Sequence, residues 1–212
     1  MSADGAAPSE ATLEAGGHVK GLAVAIVRQN KDDSGQVNVK VSYPWHSRPR
    51  ESYPARMATP MAGKGRGMYF VPEINDEVLV GFLKGDLRHP YIVGCLWNGE
   101  DPSPEKNSNG KNDLRLIHTR KGHRLLFDDG DKGLVKLELN DGKKLAIDDD
   151  GIVLDDGNGN QLKIQSNSGA VSIEAKGKLS LKGTSISIEA TGTLDLKAGG
   201  NASLSGATVR IN

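Results

Sequence analysis

One cysteine in 212 residues, Cys95, leaves no intrachain disulfide and no cysteine-based metal cluster to hold a fold together. Aromatic side chains are scarce and stop early, all nine lying between Tyr43 and Phe127, and proline ends at Pro104. No stretch approaches the roughly 18 apolar residues that a membrane-spanning helix requires. Residues 1–17 are small and acidic, without the hydrophobic centre of a signal peptide, and read as a flexible leader on a soluble chain made in the cytoplasm. Charge of one sign is lacking too. The 27 Lys+Arg balance 27 Asp+Glu, so the cationic footprint of a nucleic-acid binder is absent. Cys95, inside the apolar run Tyr91–Trp97, is expected to be a buried small hydrophobe.

These absences are unevenly spread, and that divides the chain. With every aromatic and proline in the first part, a conventional core belongs there, and the second part needs another way to bury surface. Between residues 18 and 97 short alternating runs predict five strands. They are Leu22–Val27, a partner carrying Val37, Val39 and Val41, then Arg56–Met61, Glu77–Leu83 and Tyr91–Leu96. A turn at 86–90 and a long irregular loop at 62–76 complete a small barrel of the oligonucleotide/oligosaccharide-binding (OB) type. Residues 98–113, rich in Pro, Asn, Ser and Gly, read as a linker. The expected domains are therefore a leader at 1–17, an OB barrel at 18–97, a linker at 98–113 and a repeat domain at 114–212.

That last domain is defined by what it does contain. After two short strands between Leu114 and Phe127, a pair of apolar residues recurs every seven to ten positions from Leu137/Leu139 to Val209/Ile211. A spacing of two within each pair puts both side chains on one face of a strand, and Gly, Asn, Asp, Ser and Thr between pairs turn the chain. Such periodicity is a solenoid signature without helices. A single chain of these strands has no opposing layer. Ordering a residue costs about 1–2 kcal/mol of backbone entropy, and a buried Leu or Ile returns about 1.5–3 kcal/mol only if it is actually buried. Three chains around one axis supply the missing layer and give every strand edge a partner. The expected fold is therefore all-β, an OB barrel followed by a triple-stranded β-helix formed by an intertwined homotrimer. Its core would be Leu162, Ile164, Val171, Ile173, Leu179, Leu181, Ile186, Ile188, Leu194 and Leu196. Outward-facing Glu174, Lys182, Glu189 and Lys197 alternate in sign, so stacked layers can pair opposite charges. Ten layers of about 4.8 Å make a needle on the order of 50 Å long.

No catalytic, cofactor or metal constellation emerges. Gly63-Lys64-Gly65-Arg66-Gly67 lacks the order of a phosphate-binding loop and reads as an interstrand loop. His118 and His123 with Asp128 and Asp129 fit no zinc spacing. The Asp148–Gly151 and Asp155–Asn160 runs have calcium-loop composition without its ligand order, and Asp-Gly or Asn-Gly simply makes turns. Tyr43, Trp45, His46, Arg48 and Arg50 are too modest an aromatic-basic cluster to predict strand binding.

Several stretches resemble the OB domain of contractile-tail spikes: Gly35–Trp45, Ala62–Pro72, Asn75–Phe82, and Gly85-Asp86 through His89-Pro90 to Trp97-Asn98. The family comprises phage baseplate assembly protein V, the valine-glycine-repeat spikes of type VI secretion and the spikes of extracellular injection systems. The resemblance spans about residues 18–212. It implies a structural, non-enzymatic central spike that docks a trimeric baseplate hub protein through its barrel and punctures a target membrane with its needle. Its setting would be a phage virion or a phage-tail-like particle. Residues before 18 leave no room for a fused hub domain, nor 98–113 for a lysozyme domain. The tip differs from family members that end in a histidine metal site, because no His follows His123. A separate tip protein of the proline-alanine-alanine-arginine (PAAR) kind is expected to cover Leu204, Val209 and Ile211. The competing reading, a trimeric carbohydrate-binding or enzymatic tail fibre, calls for exposed aromatics along the repeat.

Overall fold

The computed structural model describes residues 13–14, 18–46 and 51–210. They form strands, loops and one 3-10 turn at Leu83–Gly85, in two compact units, Met1–Ser108 and Asn109–Asn212. Leader residues 1–12 and 15–17, together with Arg48, Arg50 and Ile211, lie outside the described residues.

In the first unit β1 (Leu13–Glu14) pairs with β2 (His18–Val19). Five strands then close a barrel: β3 (Leu22–Gln29), β4 (Asn38–Ser42), β5 (Ala55–Met57), β8 (Glu77–Phe82) and β9 (Pro90–Leu96). Around the barrel the order is β3-β4-β5-β9-β8. Every pairing is antiparallel except β5 with β9, where Arg56 lies beside Tyr91 and Met57 beside Ile92. The sequence alternation decides which side chains fill so narrow an interior. Along β3 the small residues Ala23, Ala25 and Val27 point in, while Leu22 stands in solvent. Val39, Val41, Ala55, Val78, Val80 and Ile92 complete the core, and Tyr43 closes one side with its ring 5.1 Å from Trp45 and 5.8 Å from Phe82.

Three expectations change here. Val37 is not part of a strand: its φ is +58°, a left-handed conformation costly for a β-branched residue, and β4 begins at Asn38. The third strand is shorter, and the loop after it holds its own two-stranded hairpin, β6 (Ala62–Gly63) with β7 (Arg66–Gly67). Cys95 is exposed rather than buried. Alternation along β9 turns Pro90 and Ile92 inward and leaves Val93 and Cys95 outside. Partial desolvation, and then the charge of Asp76, push its thiol pKa upward.

The second unit is one antiparallel sheet of seven strands in sequence order: β10 (Leu114–His118), β11 (Arg124–Asp128), β12 (Leu134–Glu138), β13 (Lys144–Asp148), β14 (Gly151–Asp155), β15 (Gln161–Gln165) and β16 (Val171–Glu174). Carboxylates build its corners. Asp148 Oδ1 accepts from the amides of Asp150 and Gly151 at 3.0 Å, and Asp156 Oδ1 from those of Asn158 at 2.8 Å and Asn160 at 2.9 Å. Residues 175–210 form no strand within the chain.

Gly151 opens β14 at φ +145°, and a Cβ there would lie 1.9 Å from the Ile164 carbonyl oxygen. Gly133, at φ +58°, has open space. Gly151→Ala is therefore expected to cost several kcal/mol and to separate β14 from β15, and Gly133→Ala only about 1 kcal/mol. Thermal melts of the two variants check this.

Candidate functional site: an uncovered apolar sheet face

The register of the seven strands arranges their alternating side chains into rows. One row runs Ile117, Leu125, Leu137, Leu145, Leu154, Leu162, Ile173, each residue directly opposite the next across a strand pair. A second runs Phe127, Val135, Ile147, Ile152, Ile164, Val171 on the same face. On the opposite face one row alternates in charge, with Arg124, Glu138, Lys144 and Asp155 in register, and the row beside it is mixed, running Leu116, Leu126, Lys136, Ala146, Val153, Lys163. There Lys136 Nζ lies 2.8 Å from Glu138 Oε1 and Lys144 Nζ 3.6 Å from Asp155 Oδ2. The hydrogen bond from Lys136 leads the causes that hold the Glu138 pKa below its ordinary value, and the Gly157 amide leads them for Asp155.

Nothing among the described residues covers the apolar face. Leu137, Leu154, Val171 and Ile173 are each half or more exposed, and Leu137, Leu145, Leu154, Leu162, Ile173 and Leu179 line an open trough of about 570 Å³. Monomeric soluble proteins seldom leave such a contiguous patch in water. Of the core residues expected from sequence, Leu162, Ile164, Val171 and Ile173 stand in these rows. Leu179, Leu181, Ile186, Ile188, Leu194 and Leu196 lie in the unpaired stretch 175–210, all exposed, Leu196 to 83%. Leu204 and Val209 lie in the same stretch. The sequence reading missed that the rows begin earlier, at Ile117, Leu125, Phe127 and Val135. Their spacing of two, Leu125/Phe127 and Val135/Leu137, was the available signal.

The other candidates come apart. Among the described residues no group of three or more His, Cys, Asp or Glu is placed to hold a metal ion. His123 Nδ1 accepts from the Asn140 amide at 3.3 Å, and the turn carboxylates are occupied by backbone N–H groups. Gly63–Gly67 is the β6–β7 hairpin and is followed by no helix. Tyr43 and Trp45 pack on each other and on the barrel core instead of presenting ring faces to a strand of nucleic acid. Burial raises the Tyr43 pKa to about 12.

Residues 23–97 match the injector OB domain of type VI secretion systems and phage baseplates, and residues 115–180 match the phage baseplate V C-terminal trimerisation domain. The two matches fall on the barrel and on the sheet with the uncovered face. The chain belongs to the phage baseplate V family. Among its relatives, the type VI secretion system spike protein VgrG5 of Pseudomonas aeruginosa is 34% identical over 88 residues, covering 34% of the chain and 11% of that protein. VgrG4b of the same organism is 33% identical over 88 residues, covering 42% and 10%. VgrG3 of Vibrio cholerae is 34% identical over 70 residues, covering 31% and 7%. The chain thus aligns with about a tenth or less of these relatives' length. Among its described residues no helix is long and apolar enough to cross a membrane.

Ile152 lies mid-row between Ile147 and Ile164, and Val153 on the opposite face between Ala146 and Lys163. Ile152→Asp is expected to prevent assembly, by stranding a carboxylate in the apolar face at a cost of several kcal/mol per copy. Val153→Glu, beside Lys163, is expected to leave the melting temperature within a few degrees. Size-exclusion chromatography with thermal melts reads both.

Proposed function

We propose that the protein is the structural central spike of a contractile tail or injection machine, acting as a homotrimer. The observation supporting this most directly is the pair of unbroken apolar rows, left in solvent by one chain, inside a stretch matching a trimerisation domain. Three such faces around one axis bury each other. The same geometry extends to the distal pairs from Leu179/Leu181 to Leu194/Leu196, giving a β-helical needle whose dry interior is these side chains. Strands stacked at about 4.8 Å with every edge paired make a stiff rod, which is what mechanical penetration of an envelope requires. The role is non-enzymatic: the barrel docks a trimeric hub protein, the needle punctures the target membrane, and the spike is a component of a phage virion or phage-tail-like particle. A PAAR-type tip protein covers the apolar side chains of Leu204 and Val209, together with Ile211, which lies outside the described residues.

Native mass measurement is expected to give three times 22.5 kDa with no folded monomer at micromolar concentration; a folded monomer would remove the needle. Register is tested by Ile188→Asp, expected to abolish the trimer, against its neighbour Ser187→Asp, expected to leave it intact. Deleting residues 206–212 should release the tip protein and keep the trimer. Retention of the tip on the truncated spike would contradict that assignment.

A further inference from the structure

The β6–β7 hairpin stands outside the barrel sheet and, among the described residues, its strands pair only with each other, Ala62 opposite Gly67 and Gly63 opposite Arg66. It is nevertheless firmly built. The Met68 amide donates to the Met61 carbonyl at 3.0 Å, and Thr59 Oγ1 donates to the Met68 carbonyl at 2.9 Å. Gly67 makes the crossing possible, since a Cβ there would lie 2.7 Å from the Met61 carbonyl oxygen. Directly after it Tyr69 and Phe70 are 76% and 60% exposed. Val71 packs against the barrel core, and Asn30 Nδ2 donates to the Pro72 carbonyl at 3.0 Å. Two aromatic rings are therefore held in water on a rigid mount, with Met61 and Met68 half-exposed beside them. Between this hairpin and the 35–37 turn lies a groove of about 500 Å³ lined by Gln36, Val37, Met61, Arg66, Met68 and Tyr69. Val37 is the residue held at φ +58°, and backbone strain of that kind gathers at binding surfaces.

Charge identifies the occupant. Lys64 and Arg66 at the hairpin tip form no ion pair among the described residues. Residues 18–97 carry 11 Lys+Arg against 7 Asp+Glu, so the barrel shares the positive sign of this tip and an acidic partner complements both. The fitting surface is apolar with an acidic rim. We propose that the Thr59–Phe70 hairpin is the element by which the barrel grips the hub subunit, Tyr69 and Phe70 entering an apolar groove whose carboxylates receive Lys64 and Arg66. This rests on the hub-docking reading above. Rigid, preformed aromatic anchors lose little entropy on binding, and aromatic and cationic residues dominate interface energetics.

The test measures binding of the purified full-length trimer to the purified trimeric hub protein encoded in the same gene cluster, at low and high salt. Tyr69→Ala/Phe70→Ala is expected to weaken binding at least tenfold. Lys64→Glu/Arg66→Glu should slow association and flatten its salt dependence, while Lys84→Glu, in the 3-10 turn at Leu83–Gly85, should stay within about threefold of wild type. Native mass and a thermal melt show that each variant remains a folded trimer. If wild type does not bind the hub, the docking reading fails and this proposal with it. If wild type binds and the hairpin variants bind equally tightly, the hairpin assignment alone is overturned. It is overturned too if those variants lose the trimer, making a second copy the occupant, or lose only binding to anionic lipid vesicles.

Discussion

One face of one sheet lacks a partner, and the rest of the second unit depends on that. Seven strands satisfy each other's backbone groups within the chain, and their corners are tied by Asp carboxylates accepting backbone N–H groups. Hydrogen bonding between neighbouring strands is therefore made within a single copy, while apolar burial is not. Hydrogen bonds of this kind contribute modestly in net terms, whereas each Leu or Ile left in water forgoes about 1.5–3 kcal/mol. A paired sheet with an exposed Leu/Ile face is half of a core. A matched trimerisation domain lies over it.

The first unit solves the same problem alone. Closing five strands removes the edges and gives the inward face something to meet, namely itself. The requirement is a narrow interior, which is why the buried side of β3 reads Ala23, Ala25, Val27 and the larger Leu22 stays outside. One chain thus contains both ways a sheet buries its face, self-closure and association with copies. The aromatic residues sort accordingly: Tyr43, Trp45 and Phe82 serve the closed barrel, and the distal repeats have none.

Much of this was legible in the sequence, for particular reasons. Period-two pairs such as Leu145/Ile147 and Leu162/Ile164 can share a face only if the segment is a strand, and Asp-Gly or Asn-Gly between them can only be a corner. What escaped was where local pattern and tertiary register disagree. Val37 continues the Val39/Val41 alternation in sequence but sits at φ +58°, because the turn before β4 requires it. Cys95 lies in an apolar run yet falls out of phase with Pro90 and Ile92. The rows on the sheet start at Ile117 because pairing, not hydrophobic density, extends the face through β10 and β11. The aromatic pair Tyr69/Phe70 was visible as residues, but only the hairpin's geometry shows that they stand in solvent.

The stretch 175–210 follows directly on the seven-stranded sheet. Within one chain it makes no strand, yet it repeats the apolar spacing of the strands before it. Amide hydrogen exchange on the purified assembly, read residue by residue, tests the central claim that its partners are other copies. The prediction is strong protection across residues 179–205, comparable to that of 114–174. Exchange at the rate of an unstructured chain through 179–205 in a particle of confirmed trimeric mass would contradict it.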